Sequence, residues 1–142
     1  MREDIRQEAT KRPLAGRAGF TLIELLIVVV IIGILASIAI PKFASTKERA
    51  YIAKMKGDLR NLATAQEAYN SDNQTYYGGA VPNALLTYNP SSGTTITIVS
   101  ATPGGWSATA SYTGTVKTCA IFFGSAAPVA PATSEGILAC DP

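Results

Sequence analysis

The sequence predicts an α+β protein in which one long N-terminal α-helix packs on a small antiparallel β-sheet. An apolar run near the N-terminus continues into a one-sided helical pattern that ends near residue 70, and three β-rich runs follow after residue 93. Turns of hairpin length separate those runs, which favours a meander of neighbouring strands.

The apolar run from Phe20 to Ile40 is long enough to cross a membrane. It contains 21 residues, and as an α-helix these span roughly 31 Å, about the thickness of the hydrocarbon core of a bilayer. Glu24 is its only ionisable side chain, and a carboxylate at membrane depth requires a partner. The nearest basic residues, Arg17 and Lys42, lie outside the run.

The residues alone leave two interpretations of Glu24 open. If the chain is cut between Gly19 and Phe20, a new amino terminus appears four residues from Glu24 and can pair with the glutamate of a neighbouring copy. If the chain is not cut, the run is a signal anchor and Glu24 lies in the headgroup interface. Basic residues are about equally frequent on both sides of the run, so the positive-inside rule does not orient it.

Residues 16–43 resemble the processing and membrane-spanning signature of the type IV pilin and type II secretion pseudopilin family. Gly19 precedes the sequence FTLIE, which ends at Glu24, and Pro41 closes the apolar run. The resemblance implies a prepilin with a class III signal peptide, which a prepilin peptidase cuts after Gly19 before it methylates the amine of Phe20. It also implies that Glu24 accepts this amine from the adjacent subunit during assembly.

The same resemblance implies a pilin fold and divides the chain into three segments. Residues 1–19 are a cleaved leader, residues 20–46 are the hydrophobic transmembrane and assembly half of the long helix, and residues 47–142 are the globular head.

Gly33 and Pro41 are predicted to be weak points of the helix. Glycine costs about 1 kcal/mol relative to alanine inside a helix, and proline removes a backbone donor, so a kink is expected at Pro41. The resemblance implies that residues 33–41 can melt within a filament. Ser45 and Glu48 fit a capping box, which would suit a helix that restarts after the kink.

The second half of the helix is amphipathic and is expected to dock on the sheet. Its mostly apolar stripe recurs at spacings of three and four residues. The stripe comprises Ile52, Met55, Leu59, Leu62, Gln66 and Tyr69. The basic side chains of this half, set against Glu48 and Asp58, either contact anionic headgroups or acidic neighbours, or form a solvated face. Turn-forming residues 70–73 are predicted to end the helix.

Three runs are predicted to be β-strands: Thr94–Ser100, Gly105–Tyr112 and Val116–Gly124. The sequence does not decide which face of the third strand is buried. The tail from Ser125 to Pro142 is rich in alanine and proline and is too weakly patterned to fold by itself.

Cys119 and Cys140 are the two cysteines, and in an exported domain they are expected to form one disulfide. This bridge would attach the tail to the third strand. Two free thiols would require the head to face the reducing cytoplasm.

Composition disfavours several classes of function. The chain has no histidine, and the residues after Gly19 carry seven basic and seven acidic side chains, so charge gives no case for nucleic acid. No metal site, cofactor or catalytic residue is predicted, and an enzyme is the least favoured class. Within the resembled family, a disulfide-closed tail favours a pilin, whereas a pseudopilin head more often has a calcium site of C-terminal carboxylates. Here the C-terminal region offers only Glu135 and Asp141, too few for a calcium cage.

These features favour a structural subunit of a type IV pilus. It would be stored in the inner membrane with a cytoplasmic N-terminus and an exported head, and then assembled into a helical homopolymer at the cell surface. Its expected partners are further copies of the chain, prepilin peptidase and the assembly machinery of a pilus or secretion system. The major pseudopilin of a type II secretion system is the alternative within the family, and a monomeric membrane-tethered binding module is the alternative from another class.

Overall fold

A computed structural model describes residues 19–142, so the predicted leader lies outside the described residues apart from Gly19. The elements are one helix and four strands: α1 (Leu22–Asn73), β1 (Thr94–Thr102), β2 (Gly105–Tyr112), β3 (Thr118–Gly124) and β4 (Ala139–Cys140). The described chain forms two compact units, one ending at Ala39 and the other running from Ile40 to Pro142. The predicted α+β class, a long helix with a small antiparallel sheet, is confirmed.

The predicted helical stripe forms one side of the core of the second unit. Met55, Leu59 and Leu62 are completely buried, and they pack with sheet residues that include Trp106 and Ile121. Burial at spacings of three and four residues places these side chains on one face of α1, which is the face that covers the sheet.

The sheet is an antiparallel meander in the order β1-β2-β3-β4. β1 and β2 pair from Thr94 opposite Tyr112 to Thr102 opposite Gly105, with a register shift between Ile98 and Ser100. The three predicted strands are present. Sequence analysis missed β4, a two-residue strand that pairs with β3 through Cys140 opposite Cys119.

Both faces of β3 are buried, which answers the question that the sequence left open. Cys119 and Ile121 belong to the core beneath α1. Ala120 and Phe122 point to the other face and form a second apolar cluster with Ala132 of the tail. The strand therefore lacks an alternating pattern because the alanine- and proline-rich tail covers the face that a two-layer fold would leave in water.

Cys119 and Cys140 are joined by a disulfide, with 21 residues of sequence separation. The bridge attaches the end of the tail to β3, and the backbone N–H of Asp141 donates to the carbonyl of Thr118 at 2.9 Å beside it. The disulfide thus fixes the end of a tail whose sequence pattern is too weak for it to fold by itself.

Two buried polar side chains of α1 hold the connector that precedes the sheet. The amide of Gln66 donates to the carbonyl of Tyr77 at 2.8 Å and accepts from its N–H at 2.8 Å. Asp58 Oδ1 accepts from the N–H of Ser91 at 3.2 Å and from its hydroxyl at 2.9 Å. Asp58 is only 3% exposed, so it does not take part in the charged surface that the basic side chains of α1 form.

Candidate functional site

The first turn of α1 contains a hydrogen-bonded pair formed by Thr21 and Glu24. Thr21 precedes the helix in the N-cap position, and its hydroxyl oxygen accepts from the N–H of Glu24 at 3.2 Å. In return, Glu24 Oε2 accepts from both the N–H and the hydroxyl of Thr21 at 2.8 Å. These reciprocal bonds are a capping box, and they satisfy backbone donors that a helix start otherwise leaves without a partner.

The capping box gives Glu24 a partner that sequence analysis missed. The apolar surroundings in the sequence predict a cation as the partner of this carboxylate, whereas neutral donors of the same chain hold it in place. The signal was present in the sequence, because Thr21 and Glu24 have the spacing of a capping box directly before an apolar run. A carboxylate in the first turn also interacts favourably with the positive end of the helix dipole.

The apolar part of α1 is exposed along its whole length. Every large apolar side chain from Leu22 to Ile40 is more than half exposed, with values from 51% upward. Within residues 19–142, α1 is the helix that has the length and composition to cross a membrane. Such a surface is covered in a living cell either by lipid or by other protein.

The helical assignment continues through both predicted weak points, Gly33 and Pro41. The predicted helix restart after Pro41 was wrong. The hydroxyls of Ser45 and Thr46 donate to the carbonyl of Lys42 at 3.0 and 2.9 Å, which is the pattern of a helix interior and not of an N-cap. A kink at Pro41 and melting of this region in a filament stay predictions.

Residues 14–40 match a family model described as the prokaryotic N-terminal methylation motif. The curated relatives that are similar to this chain include a type II secretion protein and a type IV pilin. The chain is 43% identical over 60 residues to type II secretion system core protein G of Pseudomonas aeruginosa, which is 42% of each chain. It is 52% identical over 58 residues to the type IV major pilin protein PilA of Myxococcus xanthus, covering 41% of this chain and 26% of that protein.

The N-terminal part of the chain is therefore similar both to type IV pilins and to type II secretion pseudopilins. A further relative, type II secretion system core protein G of Vibrio cholerae, is 43% identical over 65 residues, covering 46% of this chain and 44% of that protein. The matches thus cover less than half the length of these curated relatives, and the similarity includes members of both branches of the family. Membrane anchoring of the apolar helix before assembly follows from the motif and the exposed apolar surface together.

The head uses its two C-terminal carboxylates to fix the tail. Asp141 Oδ2 accepts from the N–H and the hydroxyl of Thr118, both at 2.7 Å. Glu135 Oε1 accepts from the N–H of Gly124 at 2.7 Å. The tail is therefore attached at both ends of β3, and sequence analysis, which weighed these carboxylates only as calcium ligands, missed this role.

We expect the stability of the head to fall in acid partly through Asp141. The backbone N–H of Thr118, its hydroxyl and the nearby Lys117 charge lower the pKa of this carboxyl. A group with a lowered folded pKa stabilises the fold above its unfolded pKa of about 3.9, and this contribution is lost as the pH falls through the folded pKa. Asp141→Asn should lower the melting temperature at neutral pH by a few degrees and flatten the acid limb of the stability curve.

Thermal unfolding followed across the acid range measures both effects. The matched control is Asp72→Asn, which changes an exposed aspartate in the last turn of α1. The control should retain the acid limb of the wild-type chain. An unchanged acid limb in Asp141→Asn would show that the bonds to Thr118 contribute nothing to stability.

Proposed function

We propose that the chain is a structural subunit of a type IV pilus filament that is built through its N-terminal helix. The observation that carries this proposal is a carboxylate, Glu24, held in the first turn of an exposed apolar helix, within the stretch that matches the methylation motif. A membrane anchor alone does not require a charge at this position, because an uncharged glutamine can complete the same capping box, whereas a subunit that must recognise the amino terminus of another copy does require it.

Processing creates the group that Glu24 would recognise. Prepilin peptidase cuts after Gly19 and methylates the amine of Phe20, which is then a cation beside the helix start. Both hydrogen bonds that the Glu24 carboxylate accepts in the capping box end on Oε2, and the third bond of the box is donated by the backbone N–H of Glu24. The second carboxylate oxygen, Oε1, therefore remains for the Phe20 amine of the adjacent subunit, and the capping box holds it in a defined direction.

The apolar surface of α1 would supply most of the assembly energy, and the pair of charges would set the register. Lipid covers the run from Leu22 to Ile40 while the subunit is stored in the membrane, and the helices of neighbouring subunits cover it in the filament. A head-to-tail contact that does not close into a ring generates such a helical filament. The N-terminus would be cytoplasmic and the head exported, where the Cys119–Cys140 disulfide is stable.

A second candidate is the major pseudopilin of a type II secretion system. Several curated relatives carry the name type II secretion system core protein G, and this observation favours keeping the alternative. The two candidates share processing, membrane storage and polymerisation, and they differ in where the filament is found and what depends on it. If the chain is a pilus subunit, deleting its gene should abolish the filaments that can be sheared from the cell surface. If it is a pseudopilin, the deletion should abolish the release of exported enzymes.

The intact mass of the native protein tests the proposal itself. We expect the chain to have lost residues 1–19 and to carry one added methyl group on Phe20. The chain should also be found in filaments sheared from the cell surface. A full-length, unmethylated chain that stays monomeric in detergent would refute the proposal and favour a membrane-tethered binding module.

A further inference from the structure

The turn between β2 and β3 carries the most exposed large apolar side chain of residues 19–142. Val116 is 98% exposed. It lines a groove together with Lys47 of α1, whose Nζ lies over the ring of the exposed Phe43, and it precedes Lys117 in the chain. We call these four residues the hairpin-tip patch. The filament proposal does not use the patch, and it lies within one compact unit of the structure.

The turn is fixed against α1 by several contacts. A groove between them is lined by Ala44, Lys47 and Tyr51 on the helix side and includes Val116 on the turn side. Lys117 Nζ lies 3.7 Å from Glu48 Oε1. The turn is held beside the helix by this ion pair and by the close approach of Gly114 to the ring of Tyr51.

Aromatic contacts reinforce both sides of this groove. The rings of Tyr51 on α1 and Tyr112 at the end of β2 stack with centroids 4.5 Å apart. Lys47 Nζ lies 5.3 Å from the centroid of the Phe43 ring. The patch thus combines a cation and apolar groups in close contact, which is the composition of surfaces that bind at a membrane interface.

Chain connectivity places the patch close to the bilayer. Glu48 follows Pro41 by seven residues, so at the rise of an α-helix it lies about 10 Å further along α1. The headgroup region is about 5–8 Å thick on each side of the hydrocarbon core. Glu48 therefore lies just outside this layer, whereas Ala44, about 4.5 Å beyond Pro41, lies inside it. Because Val116 lines the groove together with Ala44, the turn lies within reach of the headgroups. This step rests on the membrane span of the proposed function.

The charges around the patch favour anionic headgroups. Lys42, Lys47 and Arg49 are exposed, and Lys117 adds a fourth cation, whereas Glu48 is the one carboxylate of this part of the helix. Such a surplus of cations near a membrane is attracted to anionic lipid. Lys54, by contrast, is not available for lipid, because its Nζ donates to the carbonyl of Ser92 at 2.6 Å and lies 5.0 Å from the Tyr112 ring centroid.

We propose that the hairpin-tip patch docks the head of the unassembled subunit on an anionic lipid surface, with Val116 inserted among the headgroups. Docking restricts the head to one orientation on the membrane before the subunit enters the filament. The partner is the lipid headgroup layer itself, and a second copy of the chain is the competing occupant that the experiment must distinguish.

Tryptophan quenching by brominated lipid tests this docking. The full chain with Val116→Trp is reconstituted in vesicles of phosphatidylcholine alone or of phosphatidylcholine and phosphatidylglycerol in equal parts. The single native tryptophan, Trp106, is completely buried in the head and gives a constant background. We expect brominated lipid to quench the added emission in the anionic vesicles and much less in the neutral ones. Lys47→Gln should reduce the docked population about fivefold, because it removes one cation near the surface.

The matched control is Ile137→Trp. Ile137 is also apolar and 62% exposed, but its neighbour Gly136 bonds to Phe122 towards the far end of β3 from the turn. We expect no quenching at this position. Equal quenching at both positions, or none at Val116→Trp in vesicles that carry the chain on flotation, would overturn the docking proposal alone.

Dilution of the protein separates lipid from a second copy. Quenching that is independent of the protein-to-lipid ratio supports docking on lipid. The emission could instead change only at a high protein-to-lipid ratio, and equally in vesicles without phosphatidylglycerol. This result would assign Val116 to a contact between subunits and overturn the proposal. A chain that does not float with vesicles at all would refute the membrane span, and with it both proposals.

Discussion

Glu24→Gln should abolish filament assembly while the precursor is still inserted in the membrane and still cut after Gly19. Glutamine is accepted at the third position of a capping box, so the bonds with Thr21 are retained. The change removes the negative charge that would pair with the methylated amine of Phe20. Loss of one partner from a buried charge pair leaves the other charge unpaired, and we expect the yield of filaments to fall at least about tenfold.

The complementary variant is Thr21→Val. It removes the hydroxyl that accepts from and donates to Glu24, but it keeps the carboxylate. If the charge is what assembly requires, this variant should assemble with a moderate loss, because only the direction of the carboxylate is released. Filament mass in sheared fractions and intact mass of the processed chain are the measurements. Normal filaments from Glu24→Gln, or a complete loss from Thr21→Val alone, would show that the capping box and not the charge carries the function.

The part of the fold that could be predicted from the sequence is the part where burial follows a period. Met55, Leu59 and Leu62 recur at helical spacing and are completely buried. On β2 the apolar alternation of Trp106 and Ala108 predicted the core face, although Ser107 between them is buried too. A stripe or an alternation is visible in the sequence because one side of the element faces the core and the other faces water.

Features that depend on distant partners could not be predicted in this way. Asp58 looks like a surface charge until its partner Ser91 is known, and that partner lies 33 residues away. β3 shows no clear alternation because the tail covers its second face at Phe122. β4 has only two residues, so no pattern can reveal it.

In the candidate site, the residues of the processing signature were predicted from the sequence, whereas the hydrogen-bond partner of Glu24 was not. Gly19, Phe20 and Glu24 were identified from a local signature, and the match of residues 14–40 to the methylation motif supports the family. The role of Thr21 was missed although its signal is equally local, because the analysis sought a cation for Glu24 and did not count neutral backbone donors. The assembly role itself cannot be derived from one chain, since the amine that Glu24 would bind belongs to another copy.

Cys140→Ala should destabilise the head by about 3 kcal/mol. In the unfolded chain the disulfide closes a loop between two cysteines that are 21 residues apart, and the variant releases it. For a head of about 100 residues, this loss corresponds to a decrease of about 15 °C in the melting temperature. Cys119 is completely buried and should remain as a small apolar side chain in the core. The loss therefore reports on the bridge and not on a cavity. Thermal unfolding of the oxidised chain measures the effect.

In Cys140→Ala, unfolding of the head should begin in the tail. Without the bridge, Ala132 is held over Ala120 and Phe122 only by apolar contact and by the carboxylate bonds of Asp141 and Glu135. Amide hydrogens of β4 should exchange faster than those of β2, which is paired on both sides. The control is the wild-type chain with reductant, which should unfold like Cys140→Ala, while reductant should not change the variant. If Cys140→Ala and the oxidised wild-type chain unfold at the same temperature, the carboxylate bonds fix the tail by themselves and the disulfide is not a determinant of stability.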